Sequence, residues 1–494
     1  MKYILAIDQG TSSSRCILYN QESQPVAVAQ QEFRQIYPKP GWIEHDAEEI
    51  WQSQVSVIKQ AMQEKCLESS DIAGIGITNQ RETVVLWERK TGKPIHNAIV
   101  WQDRRTADEC TRLKDAGFEP LIQAKTGLLL DAYFSATKIK WLLNNVENAR
   151  TKAERGELAF GTIDSWLVWN LTQGELHITD VSNASRTLLY NIEQLQWDEE
   201  LLKLFDIPPS LLPSVKTSSE VYGPTQHPDI GAGMPIAAIA GDQQSALFGQ
   251  LCNQSGMAKC TYGTGSFLMI NTGRKKVVSK HRLLSTIAWQ IGTEVTYALE
   301  GSVFIGGAVI QWLRDGLMVF KQASDSEALA SSVQDNGGVY FVPALTGLGA
   351  PHWDSHARGA IFGITRGTTH AHLARAALES IAFQVDELLQ TMTLDCGEAI
   401  TQLRIDGGVA KNNLMVQFQA DISNISIARP DNLETTALGA AYLAGIAVGF
   451  WKMEELNQLC CINQMFTSNL PTKQVDSLKY YWTKAVGRAK NWAE

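Results

Sequence analysis

The strongest constraint on the fold is a strand–turn–strand pattern that occurs twice. Tyr3 to Ile7 is an apolar run of the kind a buried strand shows, and Asp8-Gln9-Gly10-Thr11-Ser12-Ser13-Ser14-Arg15 reads as a sharp polar turn. Cys16 to Tyr19 is a second apolar run. Half a chain later the order returns: Met257 to Tyr262 is apolar, Gly263-Thr264-Gly265-Ser266 is a turn, and Phe267 to Ile270 is apolar. The two turns share the order Gly-Thr-x-Ser. Like hairpins at the heads of two α/β halves predict a duplicated fold in which they face each other across a cleft. Glycine lets backbone amides approach a ligand closely, and successive N–H groups with hydroxyls cradle phosphate oxygens. Arg15 adds a planar donor for such oxygens, and Asp8 suits a magnesium ion. A Ser-rich surface hairpin is the competing reading of the same residues.

The chain has 494 residues, which suggests roughly two to four domains. Its 44% apolar and 19% charged residues describe a globular chain with ample core. A formal charge of −9 argues against coating nucleic acid, which needs a basic surface. The longest apolar stretch, Ala437 to Trp451, is too short and glycine-broken to span a membrane. Asp8 interrupts any signal-peptide core, so the expected location is the cytoplasm. The eight cysteines lack paired CxxC spacing, which predicts free thiols; the adjacent Cys460-Cys461 reads as incidental, though open to oxidation.

Strands and helices alternate along the chain, as in a layered α/β domain with ligands at strand ends. Strands are expected at Pro25 to Phe33, Ile72 to Ile77, Val84 to Trp87, Ala98 to Trp101, Ile236 to Ile239, Val339 to Ala344 and Leu403 to Ile405. Helices are expected at Ala47 to Lys65 (capped by Asp46), Lys138 to Asn145, Ser245 to Gly249, Ala308 to Leu313, His370 to Leu394 and Leu414 to Asp421. Residues 205–237, rich in Pro, Ser and Gly, read as loops. Ala437 to Gly449 reads as a tightly packed buried helix, and Trp482 to Trp492 as a docked amphipathic terminal helix. No GxxxxGK[ST], complete GxGxxG, HExxH or GxSxG occurs, which removes P-loop NTPases, simple dinucleotide dehydrogenases, zincins and standard α/β-hydrolases. What remains is a set of polar groups at strand ends: Asp8, Arg81-Glu82, Trp101, Asp164, Asp242-Gln243, Thr264 and Asp406. Each alone reads as a cap or turn; Asp242, for one, reads as an N-cap before Ser245. Together they point to a cleft enzyme that handles phosphates.

These residues lie in stretches that resemble the FGGY carbohydrate-kinase family: DQGTSSSR (8–15), YPKPGWIEHD (37–46), GITNQRET (76–83), AIVWQDRRT (98–106), YFSATKIKWLLNN (133–145), GDQQSALFGQL (241–251), TYGTGSF (261–267), GLGAPHWD (347–354) and IDGGVAKNN (405–413). The likeness runs from Ile4 to about Trp451. PKPGWIEHD, NQRET and GDQQSALFGQ are similar to the glycerol-phosphorylating branch more than to the pentose kinases. The resemblance implies two duplicated actin/hexokinase-like (ribonuclease H-like) α/β domains flanking a catalytic cleft. Residues 1–252 would carry the glycerol site and phosphate hairpin, and 253–494 would bind the nucleotide. It implies transfer from ATP to glycerol with Mg²⁺, Asp242 as general base and Asp8 at the metal. Thr11, Ser12, Ser13 and Arg15 would meet the nucleotide phosphates. Thr264, Gly307, Gln311, Gly408 and Asn412 would line the rest of the ATP site. Arg81, Glu82, Tyr133, Asp242 and Gln243 would hold the glycerol hydroxyls, with Arg81 donating, Glu82 accepting and Gln243 doing both. Trp101 and Phe267 would lie against the glycerol carbons. A homo-oligomer, dimer or tetramer, is expected. Pro224 to Met234 holds no Lys or Arg, a departure from the fructose 1,6-bisphosphate loop of some members. Two alternatives stay open: a kinase for another polyol or ketose, and an actin-like ATPase that is no kinase.

Overall fold

The structure is a computed structural model that describes residues 1–494 except Ser355, Glu398, Cys460, Cys461 and Glu494. The Cys460-Cys461 pair therefore lies outside the described residues. A thirteen-stranded sheet runs through the molecule. The first half supplies β1 (Tyr3–Gln9), β2 (Ser13–Tyr19), β3 (Pro25–Glu32), β4 (Ile72–Asn79), β5 (Ser219–Pro224) and β6 (Pro235–Gly241). The second half supplies β7 (Ala258–Tyr262), β8 (Ser266–Gly273), β9 (Leu284–Ile291), β10 (Glu294–Val303), β11 (Gln402–Asp406), β12 (Ser426–Pro430) and β13 (Ile462–Phe466).

The duplication is visible in the strand order. In the first half β3-β2-β1 is an antiparallel meander, β1, β4 and β6 are parallel, and β5 closes antiparallel to β6. In the second half β10-β8-β7, then β11 and β12, then antiparallel β13 repeat the same six-strand pattern. The halves join where β9, paired with β10, meets β5 through the single pair Ser219↔Ile291. Strand β1 is buried on both faces, with Ile4, Leu5, Ala6 and Ile7 fully covered, so it reads as an unbroken apolar run.

The two faces of the first half have different partners. Leu5, Ile7, Cys16 and Leu18 pack with residues of α1 (Ala47–Glu64), whose N-cap Asp46 accepts from the amides of Glu48 and Glu49. Ile4, Ala6, Ile17 and Tyr19 pack with α2 (Asp242–Gly249) and a helix from far along the chain, α6 (Thr435–Ala447). A Cβ on Gly439 of α6 would stand 1.8 Å from the Ser245 carbonyl oxygen of α2, so only glycine permits this approach. The second half is built around α4 (His370–Cys396), with α3 (Ala308–Asp315), α5 (Asn413–Ser423) and α7 (Thr472–Ala489). The terminal helix docks as expected but is longer than its basic end suggests. Its Trp482 ring stacks on Phe383 of α4 at 4.9 Å and 6°.

Three expectations need correction. The first turn is only Gly10 to Ser12; Asp8 lies on β1 and Arg15 on β2, because the ladder pairs Asp8 with Arg15 across the hairpin. Residues 205–237 contain β5 and the short strand Ser214–Lys216, masked by their turn-rich composition. The sequence reading does not place β9 and β10, which complete the second meander. Among the described residues no helix is long and apolar enough to cross a membrane.

Candidate active site

The carboxyl ends of β1, β4, β6, β7 and β11 gather polar groups in one region, as parallel sheets do where their crossovers leave a crevice. Arg81 and Glu82 follow β4. Arg81 is 2% exposed and gripped from several sides. Its Nη1 and Nη2 donate to Glu300 of β10 at 2.5 and 3.0 Å, and its Nε stands 3.1 Å from Asp242. It also reaches the Gln244 amide oxygen at 3.2 Å and the Tyr133 hydroxyl at 3.3 Å. Asp242 is the first residue of α2, with Gly241 as the cap; the N-cap alternative does not hold, and its Oδ1 accepts from the adjacent Gln243 amide. Its side chain keeps 31% exposure, so it faces the cleft while Arg81 behind it is buried. Burial raises the Asp242 carboxyl above its usual range, and Arg81 opposes that rise.

Glu82 adopts φ 60°, a left-handed conformation that non-glycine residues rarely take and that the surrounding network must hold. Its carboxylate accepts from Nε of Arg186 at 2.7 Å, and Arg186 also donates to Glu300 at 3.0 Å. Burial raises the Glu82 carboxyl, against the pull of Arg186 and Arg81. A chain of charges thus runs from the cleft-facing Asp242 through buried Arg81, Glu300 and Arg186 to Glu82. Burial by itself would raise Glu300; Arg186 and Arg81 overturn it and hold the group at about 2. Trp101, Tyr133 and Phe267 form an aromatic wall, with Trp101 5.4 Å from Tyr133 and 6.4 Å from Phe267. Lys138, fully buried, donates to the carbonyls of Tyr133 and Phe134 and fixes the turn that presents Tyr133.

The hairpins meet this pocket from both halves. The first is closed by Gly10 N–H to the Ser13 carbonyl at 3.0 Å, and Thr11 Oγ1 accepts from the Trp101 indole at 3.0 Å. Ser12 is exposed, and Ser13 Oγ accepts from Gln30. Arg15 donates to Gln30 at 3.0 Å and is ion-paired to Glu434, just before α6. Asp8 lies in the same field: burial first, then Glu434 and Asp242, push its carboxyl up to about 6 against Arg15. On the other side Thr264 accepts with its carbonyl from the Gly306 and Ala308 amides, and Gly307 donates to Gly263 at 2.8 Å. A Cβ on Gly307 would meet Val409 and Gly263 at 2.8 Å, so the turn after β7 and the loop after β11 close on each other there. Gln311 lies exposed on α3, Gly408 faces open space, and Asn412 caps α5 by accepting from the Met415 amide. Arg81 thus contacts both Tyr133 and Asp242, and the residues of the two hairpins and of the loops at α3 and α5 flank them in two clusters.

Three charged residues escaped the sequence reading: Glu300, Arg186 and Lys259. Lys259, on β7 and fully buried, donates to the Gln243 side-chain oxygen at 2.5 Å and to Thr261 at 2.8 Å. The signal available was a lone charge inside an apolar strand run, which must be paired if the strand is buried. As to a metal, among the described residues no cluster of three or more His, Cys, Asp or Glu forms a cage. Asp8 and Asp242 offer hard oxygen donors. One or two carboxylates completed by phosphates and water are what Mg²⁺ takes, so the residues fit that ion.

A duplicated α/β sheet with facing hairpins and a buried arginine–carboxylate pocket defines a sugar- or polyol-kinase type of site. Residues 3–249 match the N-terminal domain of the FGGY family of carbohydrate kinases and residues 258–448 its C-terminal domain, and the chain belongs to that family. Over 494 residues, 100% of this chain and 99% of the relative, it is 59% identical to a glycerol kinase of Parabacteroides distasonis. The structure superposes on Plasmodium falciparum glycerol kinase, solved with ADP, at a TM-score of 0.93 and 40% identity, covering 99% of this chain and 98% of that one. A xylulose kinase of Lactobacillus acidophilus shares the fold at a TM-score of 0.89 and 24% identity, with 99% and 98% covered.

Proposed function

We propose that this chain transfers the terminal phosphoryl group of ATP to glycerol, giving sn-glycerol 3-phosphate and ADP. The observation that carries the reading is Asp242, a cleft-facing carboxylate 3.1 Å from a buried arginine that Glu300 holds by two hydrogen bonds. Burial makes it more basic and Arg81 keeps it ionised, which is the balance a general base needs. Glycerol is three hydroxyls on three carbons. Arg81, Glu82, Tyr133 and Gln243 supply polar partners, and Trp101 with Phe267 the apolar wall. A substrate lacking one hydroxyl would leave a buried polar group unpaired, which is costly. Identity of 59% to a glycerol kinase across the whole chain supports glycerol over other polyols.

In this reading residues 1–252 form the glycerol and phosphate-hairpin domain and 253–494 the nucleotide domain. Thr11, Ser12, Ser13 and Arg15 meet the phosphates; Thr264, Gly307, Gln311, Gly408 and Asn412 line the rest of the nucleotide site. Asp8 would hold Mg²⁺ directly or through water, and the ion when bound neutralises phosphate charge. Asp242 takes the proton of the attacking hydroxyl as that oxygen approaches phosphorus. The enzyme works in the cytoplasm, on small molecules rather than nucleic acid, and as a homo-oligomer, which light scattering on the pure protein would size.

The test is ADP release by the pure protein with ATP-Mg²⁺ and a panel of glycerol, xylulose, gluconate and other polyols. Glycerol should give the highest kcat/KM. ADP release with glycerol no greater than with buffer sinks the reading, and preference for xylulose or gluconate reassigns the substrate. Asp242→Asn should melt like the parent yet lose about 10²–10⁴-fold in turnover.

A further inference from the structure

We infer that Lys259 is a positioning residue that sets the hydrogen-bonding polarity of the substrate pocket, fixing the Gln243 amide so that only its N–H donors face the cleft. The inference rests on the glycerol-phosphorylation reading. An ammonium group has no acceptor, so the Gln243 atom 2.5 Å from Lys259 Nζ must be the carbonyl oxygen whichever way the amide is drawn. Thr261 takes a second proton of the same ammonium, which leaves the lysine little freedom to release Gln243. From the sequence Gln243 is expected both to donate and to accept; Lys259 takes its carbonyl oxygen. Gln243 then presents donors, while the cleft-facing Asp242 presents an acceptor. A hydroxyl bound between them accepts from one side and gives its proton to the other, which orients its O–H.

Lys259 is an expensive way to achieve packing alone. A buried ammonium is tolerated only when paired: burial lowers the Lys259 pKa, Asp406 of β11 and Asp242 act in the ammonium's favour, and Arg81 acts against it. The glutamine is the neutral member of that set and the one whose orientation the lysine dictates.

The experiment compares Lys259→Met, Gln243→Glu, Gln243→Leu and the Lys259→Met/Gln243→Leu pair in steady-state assays with glycerol and ATP-Mg²⁺, after the parent has been shown to turn over glycerol. Lys259→Met should raise KM for glycerol about tenfold or more, with kcat and KM for ATP changed less than about threefold. Lys259→Gln, which restores a neutral donor, should recover part of that loss. Gln243→Glu keeps an acceptor toward Lys259 but has no donor, so it should raise KM for glycerol at least as much. A Lys259→Met/Gln243→Leu pair should cost no more than Gln243→Leu alone, since the lysine acts through Gln243. Wild-type KM for glycerol in folded Lys259→Met, or in Gln243→Glu should Lys259→Met not fold, overturns the inference. So does a loss confined to kcat. Failure of the parent to use glycerol strikes the underlying reading instead.

Discussion

Glu300 has no obvious contact with a substrate, yet it decides where Arg81 points. It accepts two hydrogen bonds from Arg81 and one from Arg186, all three residues being almost fully buried. Removing one partner of such a set leaves an uncompensated charge in the interior. Glu300→Gln should therefore lose about 3–5 kcal/mol of stability at neutral pH, read from urea midpoints. The sign with pH follows from the shift: the carboxyl is held down from 4.5 to about 2 in the folded protein. Its contribution is complete above pH 4.5 and is lost as pH falls toward 2. The gap between parent and variant should close over that window; a gap that stays constant would show that Glu300's ionisation is not what stabilises the site. Arg81 and Asp242 were legible in the sequence because they stand just past apolar strands, where α/β sheets place ligands. Glu300, Arg186 and Lys259 were not, because each is a single charge whose partner lies far along the chain.

Among the elements, α6 does the most to join the halves. The sequence reading recognised its small, glycine-dotted composition as that of a buried helix but could not say against what it packs. The answer lies in Gly439, whose Cα approaches the backbone of α2 immediately behind Asp242 and Gln243. Gly439→Ala forces two helix backbones apart, and overpacking of this kind costs about 1–3 kcal/mol. Thermal melting should show the loss, and turnover should fall with it because α2 carries Asp242. A variant with parental melting and activity would contradict the packing. Strands β9 and β10 show the opposite case. Nothing local marks them as the return of a meander, since their role is fixed by pairing with β8 and, through Ser219↔Ile291, with β5.

At the scale of the molecule, the first hairpin is tied across the sequence by the Arg15–Glu434 ion pair. If Arg15 meets nucleotide phosphates, Glu434 competes with them. The pair is partly exposed, with side chains 22% and 48% accessible, so it contributes no more than about 1 kcal/mol. Glu434→Gln should tighten ATP binding by up to about fivefold, measured by calorimetry or as KM for ATP. Weaker binding in that variant would mean Glu434 helps the nucleotide instead of opposing it. The two hairpins suggested a duplicated fold and the family resemblance implied one, but the order of the strands was not readable. Nor was it readable that the two sheets run on into one, because that rests on one residue pair between segments no local pattern connects.

Helix α6 also bears on how the chain is made. It covers one face of the first sheet but is translated roughly two hundred residues after α2. At usual synthesis rates that face, lined by Ile4, Ala6 and Ile17, waits on the order of 10–40 s for its cover. The nascent first half therefore emerges with an apolar surface that α2 covers only in part and the far end of the chain completes. A chain cut short ahead of residue 435 would keep that face uncovered by α6.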